Sequence, residues 1–360
     1  VLQSIDDPKR SSNCILVTSA FTRPLALLVT HERENIPVIL LHLQPLLPNR
    51  IVPSYRTSRS GFVHACIHTQ ASSSETALSG LDCEESYWKI EHSLEECFLK
   101  TQTQTTHDQV LSGKKSPPSW ETLKEMLTGK AKHVWVVNAY SNHLVPSLAG
   151  SVGLGSNVLD VGPIADDYVP PGQEMLDHAL QQFLSEASFH DHGRPICVGF
   201  GSMPFGRIGQ LLEAIKTLKV RAVLVGEVFQ QIPQSHPAVR YKWIMCVAAV
   251  PYTLLLPHCS MLLCHGGIGV TQACMRAGIP CLISPLMGDQ FAMAQLVQAK
   301  GFGAQCGSKL SEVTAEDIIY AVGAGTKCIE TCQNLGRKIQ NEKSTGAEKI
   351  VDLILKIMEK

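Results

Sequence analysis

From residue 194 onward, short apolar runs rich in β-branched residues alternate with segments of helical period, and this alternation leaves the chain few folds. The succession is "RPICVGFGSM", "IGQLLEAIKTLK", "VRAVLVGE", "YKWIMCVAAVP", "YTLLLPHC", "SMLLCHGGIG", "VTQACMRAG", "IPCLISP" and "LMGDQFAMAQLVQAKG", with a further helix near 314–323. Runs that are apolar on both faces and bounded by Gly, Pro or Ser fit the strands of a parallel sheet covered by helices. A doubly wound α/β lobe is the expectation. "NCILVTSA", "IPVILLHLQP", "KHVWVVNA" and "SNVLDVGP" repeat the pattern in the first half. At about 150 residues per domain, a chain of this length holds two such lobes.

The stretch "VGPIADDYVPPGQE" at 161–174, rich in Pro and charge, separates the two series. We therefore expect a first lobe over 1–165, a linker over 166–193, a second lobe over 194–323 and closing helices over 324–360. The closing helices rest on the spacing of Ile329, Cys332, Leu335 and Ile339, then of Ile350, Leu353, Ile354 and Ile357, with a break around "STGAE". Residues 55–118 are rich in Ser, Thr and Gln and low in pattern, as expected of an elaborated, partly mobile loop.

Charge narrows the functions open to such a chain. Lys and Arg number 31 against 32 Asp and Glu, and 18% of residues are charged. That balance gives no electrostatic footprint for nucleic acid or an anionic membrane. No uninterrupted apolar run reaches the about 18 residues of a membrane span, and no secretory leader pattern is visible. The 13 cysteines are scattered, without a C-x-x-C pair, and several sit inside apolar runs. They read as buried small hydrophobes in a reducing, cytoplasmic setting.

The chemistry concentrates in "MLLCHGGIGVTQACMRAGIPCLISPLMGDQ", residues 261–290. A strand that ends in a Gly-rich turn and opens a helix aims backbone N–H groups and the positive end of the helix dipole at one point. Gly266, Gly267 and Gly269 lack the Cβ atoms that keep a phosphate from the backbone, and His265 can donate to a phosphate oxygen. The next strand ends at Pro285 and is followed by Asp289 and Gln290, a carboxylate and an amide able to grip adjacent hydroxyls. Phosphate on one turn and polyol on the next suggests a sugar nucleotide. Taken singly, the Gly turn is also a way to pack a helix close to a strand, and Asp289 reads equally as a helix N-cap.

Residues 265–290 resemble the donor signature of family 1 glycosyltransferases of the GT-B fold, most closely the sterol glucosyltransferase branch. "ICVGFGSMP" at 196–204 is similar to the Gly-Ser turn after that family's first carboxy-lobe strand, and the likeness is specific over about 194–305. In the first half, "SAFTRPLALLVTHERENIPVILLHLQPLLP" and "NVLDVGPI" are similar to late elements of the acceptor lobe. The resemblance implies two Rossmann-like doubly wound lobes, the N-terminal one incomplete, because the opening βα units of the acceptor lobe are not recognisable. It implies that His265 and the N–H groups of Gly267 to Val270 hold the diphosphate of a UDP-sugar, with Gly201 and Ser202 beside it. Asp289 and Gln290 would hold hydroxyls of the sugar, and uracil would stack near Val250 to Tyr252. Trp243 is better read as a core residue than as a stacking platform.

The reaction implied by the resemblance is transfer of a hexose, glucose first, to a hydroxyl of a lipid-like acceptor such as a sterol, by inversion and without metal or cofactor. Peripheral membrane contact would fit such an acceptor. Two departures stand out. Val270 replaces the family's hydroxyl residue, which implies a weaker donor grip unless Thr271 substitutes. No residue matches the family's general base: His31 reads as a solvated helix end and His42 as an alternating strand residue. A nucleotide-sugar-binding or interaction protein without turnover, and a GT-B transferase for macrolide or polyprenyl-linked acceptors, are the alternatives. His64, Cys66 and His68 lack a second ligand pair for zinc, and "GSVGLG" at 150–155 precedes a strand, whereas a dinucleotide loop must follow one.

Overall fold

The computed structural model describes residues 15–18, 26–27, 31, 36–43, 118–145, 147, 149–150, 153–164, 175–189, 193–240, 243–341 and 345–359. Nearly all of the polar stretch at 55–118, with His64, Cys66 and His68, lies outside the described residues. The chain divides into two compact units, Val1–Ile164 with Ser344–Lys360, and Ala165–Lys343.

In the first unit, strands β1 (Leu16–Thr18), β2 (Val38–His42), β3 (Val134–Asn138) and β4 (Val158–Asp160) form a parallel sheet in that order. Helix α1 (Trp120–Leu127) precedes β3, and its first turn is capped by Ser119, whose hydroxyl accepts from the Thr122 N–H at 3.2 Å. Alternation in the strands divides two cores. Val38, Leu40, Val134 and Val136 pack against Leu123, Met126 and Leu127, whereas Ile39 and Val137 point to the other face. Asn157 closes the turn into β4 by donating to the carbonyls of Ala131, Lys132 and Val134 at 3.1, 3.3 and 3.2 Å.

The second unit begins with α2 (His178–Phe189) and continues β5 (Ile196–Gly199), α3 (Ile208–Leu218), β6 (Ala222–Val225) and β7 (Ile244–Val247). It then runs β8 (Met261–Cys264), α4 (Ile268–Ala277), β9 (Cys281–Ile283), α5 (Gln290–Ala299), β10 (Gly303–Gln305), α6 (Ala315–Thr326) and α7 (Ile329–Gln340). The six strands are all parallel, in the order β10-β9-β8-β5-β6-β7. Every residue of β5, β6, β8 and β9 is buried, as strands covered on both faces must be. Helix α4 stops at Gly278, which is left-handed at φ 70° and packs against Gly336 of α7, where an added Cβ would meet the Gly278 Cα at 2.7 Å.

The "STGAE" break is also a start signal. Thr345 and Glu348 form a reciprocal capping box, with the Glu348 N–H donating to the Thr345 hydroxyl at 3.2 Å and the Thr345 N–H to the Glu348 carboxylate at 2.8 Å. The helix they open, α8 (Gly346–Met358), leaves the second unit and completes the first. Its Ile350 and Ile357 close the core around Ile39, Val137, Ala139 and Val161, and the Lys349 ammonium donates to the Val161 carbonyl at 3.0 Å. The closing helices therefore part company, α7 packing on α4 and α8 on the first sheet. No described helix is long and apolar enough to cross a membrane.

Ile350→Ala should lower the unfolding free energy by about 2 kcal/mol, as removal of a buried branched side chain does. Val351→Ala, on the face of α8 where Val351 is 54% exposed, should stay within about 0.5 kcal/mol of the parent. Denaturant titrations of both variants check this, and equal costs would show that α8 is not docked as described.

Candidate functional site

The order β10-β9-β8-β5-β6-β7 reverses direction between β5 and β8. From that point the chain crosses to one side after β5 and to the other after β8, so their two exit loops diverge and leave a crevice above the carboxyl edge. Open parallel sheets bind ligands in such a crevice. The sequence-selected loops, Gly201–Ser202 and His265–Gly267, are those two exits.

The β5 exit is a tight turn anchored by an aromatic cluster. Phe200 is buried and stacks on Phe205 with ring centroids 4.4 Å apart, and the Met203 N–H donates to the Phe200 carbonyl at 3.0 Å. Gly201 takes φ 58°, and a Cβ there would lie 3.6 Å from the His265 Cε1. The two exits thus approach each other to within about one side-chain carbon. Ser202 is exposed beside them. Just upstream, Gly199 accommodates the Tyr252 hydroxyl, which would sit 2.1 Å from an added Cβ.

The β8 exit is built around Gly266, whose place leaves no room for a Cβ. Gly266 has φ 88°, and its Cβ would lie 2.4 Å from the Ile283 Cγ2 and 3.5 Å from the Gln290 carbonyl oxygen. Gly267 is the N-cap of α4 without a side-chain cap, and its Cβ would lie 2.8 Å from the His265 Nε2. The imidazole is therefore wedged between Gly201 and Gly267 over the helix start, where the first-turn N–H groups and the dipole favour an anion. Burial pushes the His265 pKa down, so at neutral pH the ring is uncharged and offers one N–H. Gly269 is exposed and Val270 half-buried on the first turn.

The next loop abuts the same place through the Gly266 contact with Gln290. Asp289 occupies the N-cap position of α5, yet its carboxylate makes no capping hydrogen bond, and burial raises its pKa. An N-cap role does not account for this side chain. Gln290 is buried, and its amide oxygen accepts from the N–H groups of Leu286 and Met287 at 2.8 and 3.0 Å. Its oxygen is thus committed to shaping the loop, which leaves the NH₂ group as the part able to face a ligand. Thr271 corrects an expectation. It is fully buried and its hydroxyl donates to the Gly267 carbonyl at 2.9 Å, so it cannot stand in for the hydroxyl that Val270 lacks.

Two features escaped the sequence. Ser284, at the end of β9, is buried with its hydroxyl lacking a hydrogen-bond partner among the described residues, as is the Nδ1 of His265. A lone serine closing an apolar run gives no signal by itself. The fit of Tyr252 over Gly199 joins residues far apart in the chain and has no local signature. Trp243 is half-buried against the apolar cluster around Phe229, and its backbone N–H donates to the Ala238 carbonyl at 2.8 Å.

This architecture is that of the GT-B glycosyltransferases. Solved structures that share it include a UDP-glucose: anthocyanidin 3-O-glucosyltransferase, at a TM-score of 0.62 and 17% identity over 96% of this chain and 75% of that one. A UDP-glucosyltransferase from Polygonum tinctorium gives a TM-score of 0.59 and 16% identity over 100% of this chain and 80% of that one. The particular relationship is read from sequence: residues 224–343 match the C-terminal domain family of the Erythromycin biosynthesis protein CIII-like proteins. Sterol 3-beta-glucosyltransferases are homologous to the chain. That of Komagataella phaffii is 31% identical over 203 residues, 52% of this chain and 15% of that protein. That of Eremothecium gossypii is 30% identical over 186 residues, 49% and 14% respectively, and that of Arabidopsis thaliana is 31% identical over 188 residues, 49% and 27%. The chain thus spans less than a third of the length of these relatives.

Two outcomes test the site's construction. Gly199→Ala should destabilise the fold by about 1–3 kcal/mol through overpacking against the Tyr252 hydroxyl, and Tyr252→Phe in the same chain should recover part of that loss. Additive costs in denaturant titration would count against the contact. The depressed His265 pKa means that the unfolded chain takes up the proton first, so stability is kept above the unfolded imidazole value and declines as pH falls through it. His265→Gln should flatten that decline between about pH 7 and pH 5, and an unchanged slope would place the buried imidazole elsewhere.

Proposed function

We propose that the chain transfers a hexose, glucose before others, from a UDP-sugar to a hydroxyl of a lipid-like acceptor such as a sterol, with inversion and without metal. The observation that carries this reading is the convergence at one sheet crevice of the His265 imidazole, the uncapped start of α4 at Gly267 and the Asp289–Gln290 loop. The helix start and the imidazole suit a diphosphate, whose charge grows as it leaves. The Asp289 carboxylate, which makes no capping hydrogen bond to its helix, suits two neighbouring sugar hydroxyls.

In this reading Gly201 and Ser202 flank the diphosphate, and the N–H groups of Gly267, Ile268, Gly269 and Val270 hold its oxygens. The acceptor oxygen attacks the anomeric carbon while the bond from that carbon to the diphosphate oxygen breaks. Stabilisation of the leaving diphosphate falls to the helix dipole and the His265 N–H. The sterol glucosyltransferase homologues support glucose and a sterol as first choices of donor sugar and acceptor. A second reading, nucleotide-sugar binding without turnover, draws on Val270 and on the inward-turned hydroxyl of Thr271, which leave the diphosphate without a side-chain hydroxyl on the first turn of α4.

Calorimetric titration with UDP and UDP-glucose separates the parts of the site. His265→Ala should weaken UDP binding by about tenfold or more, equivalent to about 1.4 kcal/mol. Asp289→Ala should keep UDP affinity and lose the increment that glucose adds. Absence of UDP binding by the unmutated chain would overturn the donor site, and binding without transfer to any sterol or other lipophilic alcohol would favour the second reading.

A further inference from the structure

The strands of the second unit end in a row of side chains on one face of the sheet. Cys264 and Gln305 are both register partners of Ile283. The ladders run one step further, the Ser284 N–H donating to the Cys264 carbonyl at 2.9 Å and the Cys306 N–H to the Ile283 carbonyl at 2.7 Å. His265, Ser284 and Cys306 therefore stand next to one another, one residue beyond β8, β9 and β10. The Cys264 and Cys281 thiols meet on one face, 3.6 Å apart. By alternation, the residues that follow Cys264 and Ile283 take the other face. That is the face on which Phe200, Leu263, Leu282 and Cys306 join the apolar core. Because Val198 pairs with Leu263, Phe200 comes alongside His265 and completes the row.

Two buried polar atoms in this row have no hydrogen-bond partner among the described residues, the His265 Nδ1 and the Ser284 Oγ. Ser284 is 1% exposed, and a hydroxyl buried without a partner is costly. Phe200, on one side of the imidazole, is apolar. Cys306, on the far side of the serine, offers only a thiol, which is a weak partner. The hydroxyl and the imidazole are thus the only strong partners that the row holds for each other. Adjacent strands lie about 4.8 Å apart, and rotation about the serine Cα–Cβ bond swings the hydroxyl toward the ring.

The ligand side sets the direction of the bond. Nε2 lies over the start of α4, where a Cβ on Gly267 would be 2.8 Å from it. A diphosphate oxygen only accepts, so Nε2 must carry the proton. The neutral ring then has its lone pair on Nδ1, which accepts from a hydroxyl beside it. We propose that Ser284 is a positioning residue of the donor site: its hydroxyl donates to the His265 Nδ1, fixing the ring plane and keeping the proton on Nε2 for the diphosphate. This rests on the UDP-sugar reading above. The serine acts through the imidazole alone, by the general rule that the bond made at one ring nitrogen sets the state of the other.

Calorimetry and nitrogen NMR supply the test. Ser284→Ala should weaken UDP binding by about three- to tenfold, the loss of one hydrogen bond. In a His265→Ala background the same substitution should change UDP affinity by less than about twofold, because the serine then has nothing to hold. Ser284→Cys, close in size but a weak donor, should behave as Ser284→Ala does. Nitrogen NMR of labelled histidine in the UDP complex should show His265 protonated on Nε2, with Nδ1 hydrogen-bonded in the parent and unbonded in Ser284→Ala. Unchanged UDP affinity in Ser284→Ala, an equal loss in both backgrounds, or an unbonded or protonated Nδ1 in the parent overturns the proposal and leaves the donor reading intact. Absence of UDP binding by the parent overturns that reading and this one together.

Discussion

Strands β5 and β8 lie side by side although more than one complete βα repeat separates them in the chain, and the rest of the site depends on that adjacency. Their buried residues, Ile196 to Val198 against Met261 to Leu263, hold the two exit loops at one height above the sheet. Because the loops then turn to opposite sides, space opens between them instead of being filled by a crossover. Gly201 lies close to His265, and Gly266 packs so tightly under Ile283 that a Cβ there would lie 2.4 Å from its Cγ2. A methyl group at Gly266 would push β9 away, and with it the loop that carries Asp289.

Electrostatics in this crevice come from the backbone more than from formal charge. The start of α4 contributes unpaired N–H direction and dipole, the imidazole is kept neutral by burial, and Asp289 is pushed toward its protonated form by the same desolvation. The cysteines around it are part of the packing: Cys197, Cys264, Cys274 and Cys281 are fully buried free thiols whose pKa values are raised, burial being a cause in each.

The first unit is organised differently. Its sheet has one face covered by α1 and the other by α8, a helix from the far end of the sequence that its capping box starts cleanly at Gly346. Its carboxyl edge is polar and internally hydrogen-bonded from His42 to Asp160, whereas the second unit's edge is glycine-rich and open.

Much of this was legible in the chain itself. Apolar runs such as "ICVG", "AVLV" and "MLLC" specify buried parallel strands because they have no polar face to give to water. His265, the three glycines and Asp289 could be singled out because a strand-turn-helix transition is a local event. Other features were hidden because they depend on the exact local backbone path or on residues distant in sequence. Thr271 read as a hydroxyl available to a ligand until helix geometry turned it onto the Gly267 carbonyl. Gln290 read as a free amide until the loop folded over its oxygen. His42 read as an ordinary alternating residue, since its partners lie on β3 and β4. The sequence by itself determined which segments are strands and helices and where backbone N–H groups gather, because those follow from periodicity and from the absence of a Cβ. Only the tertiary structure decided strand order, the joining of β5 to β8 and the meeting of His42, Asn138 and Asp160 at one sheet edge, because each is set by hydrogen bonds and packing between residues that meet only when the sheets form.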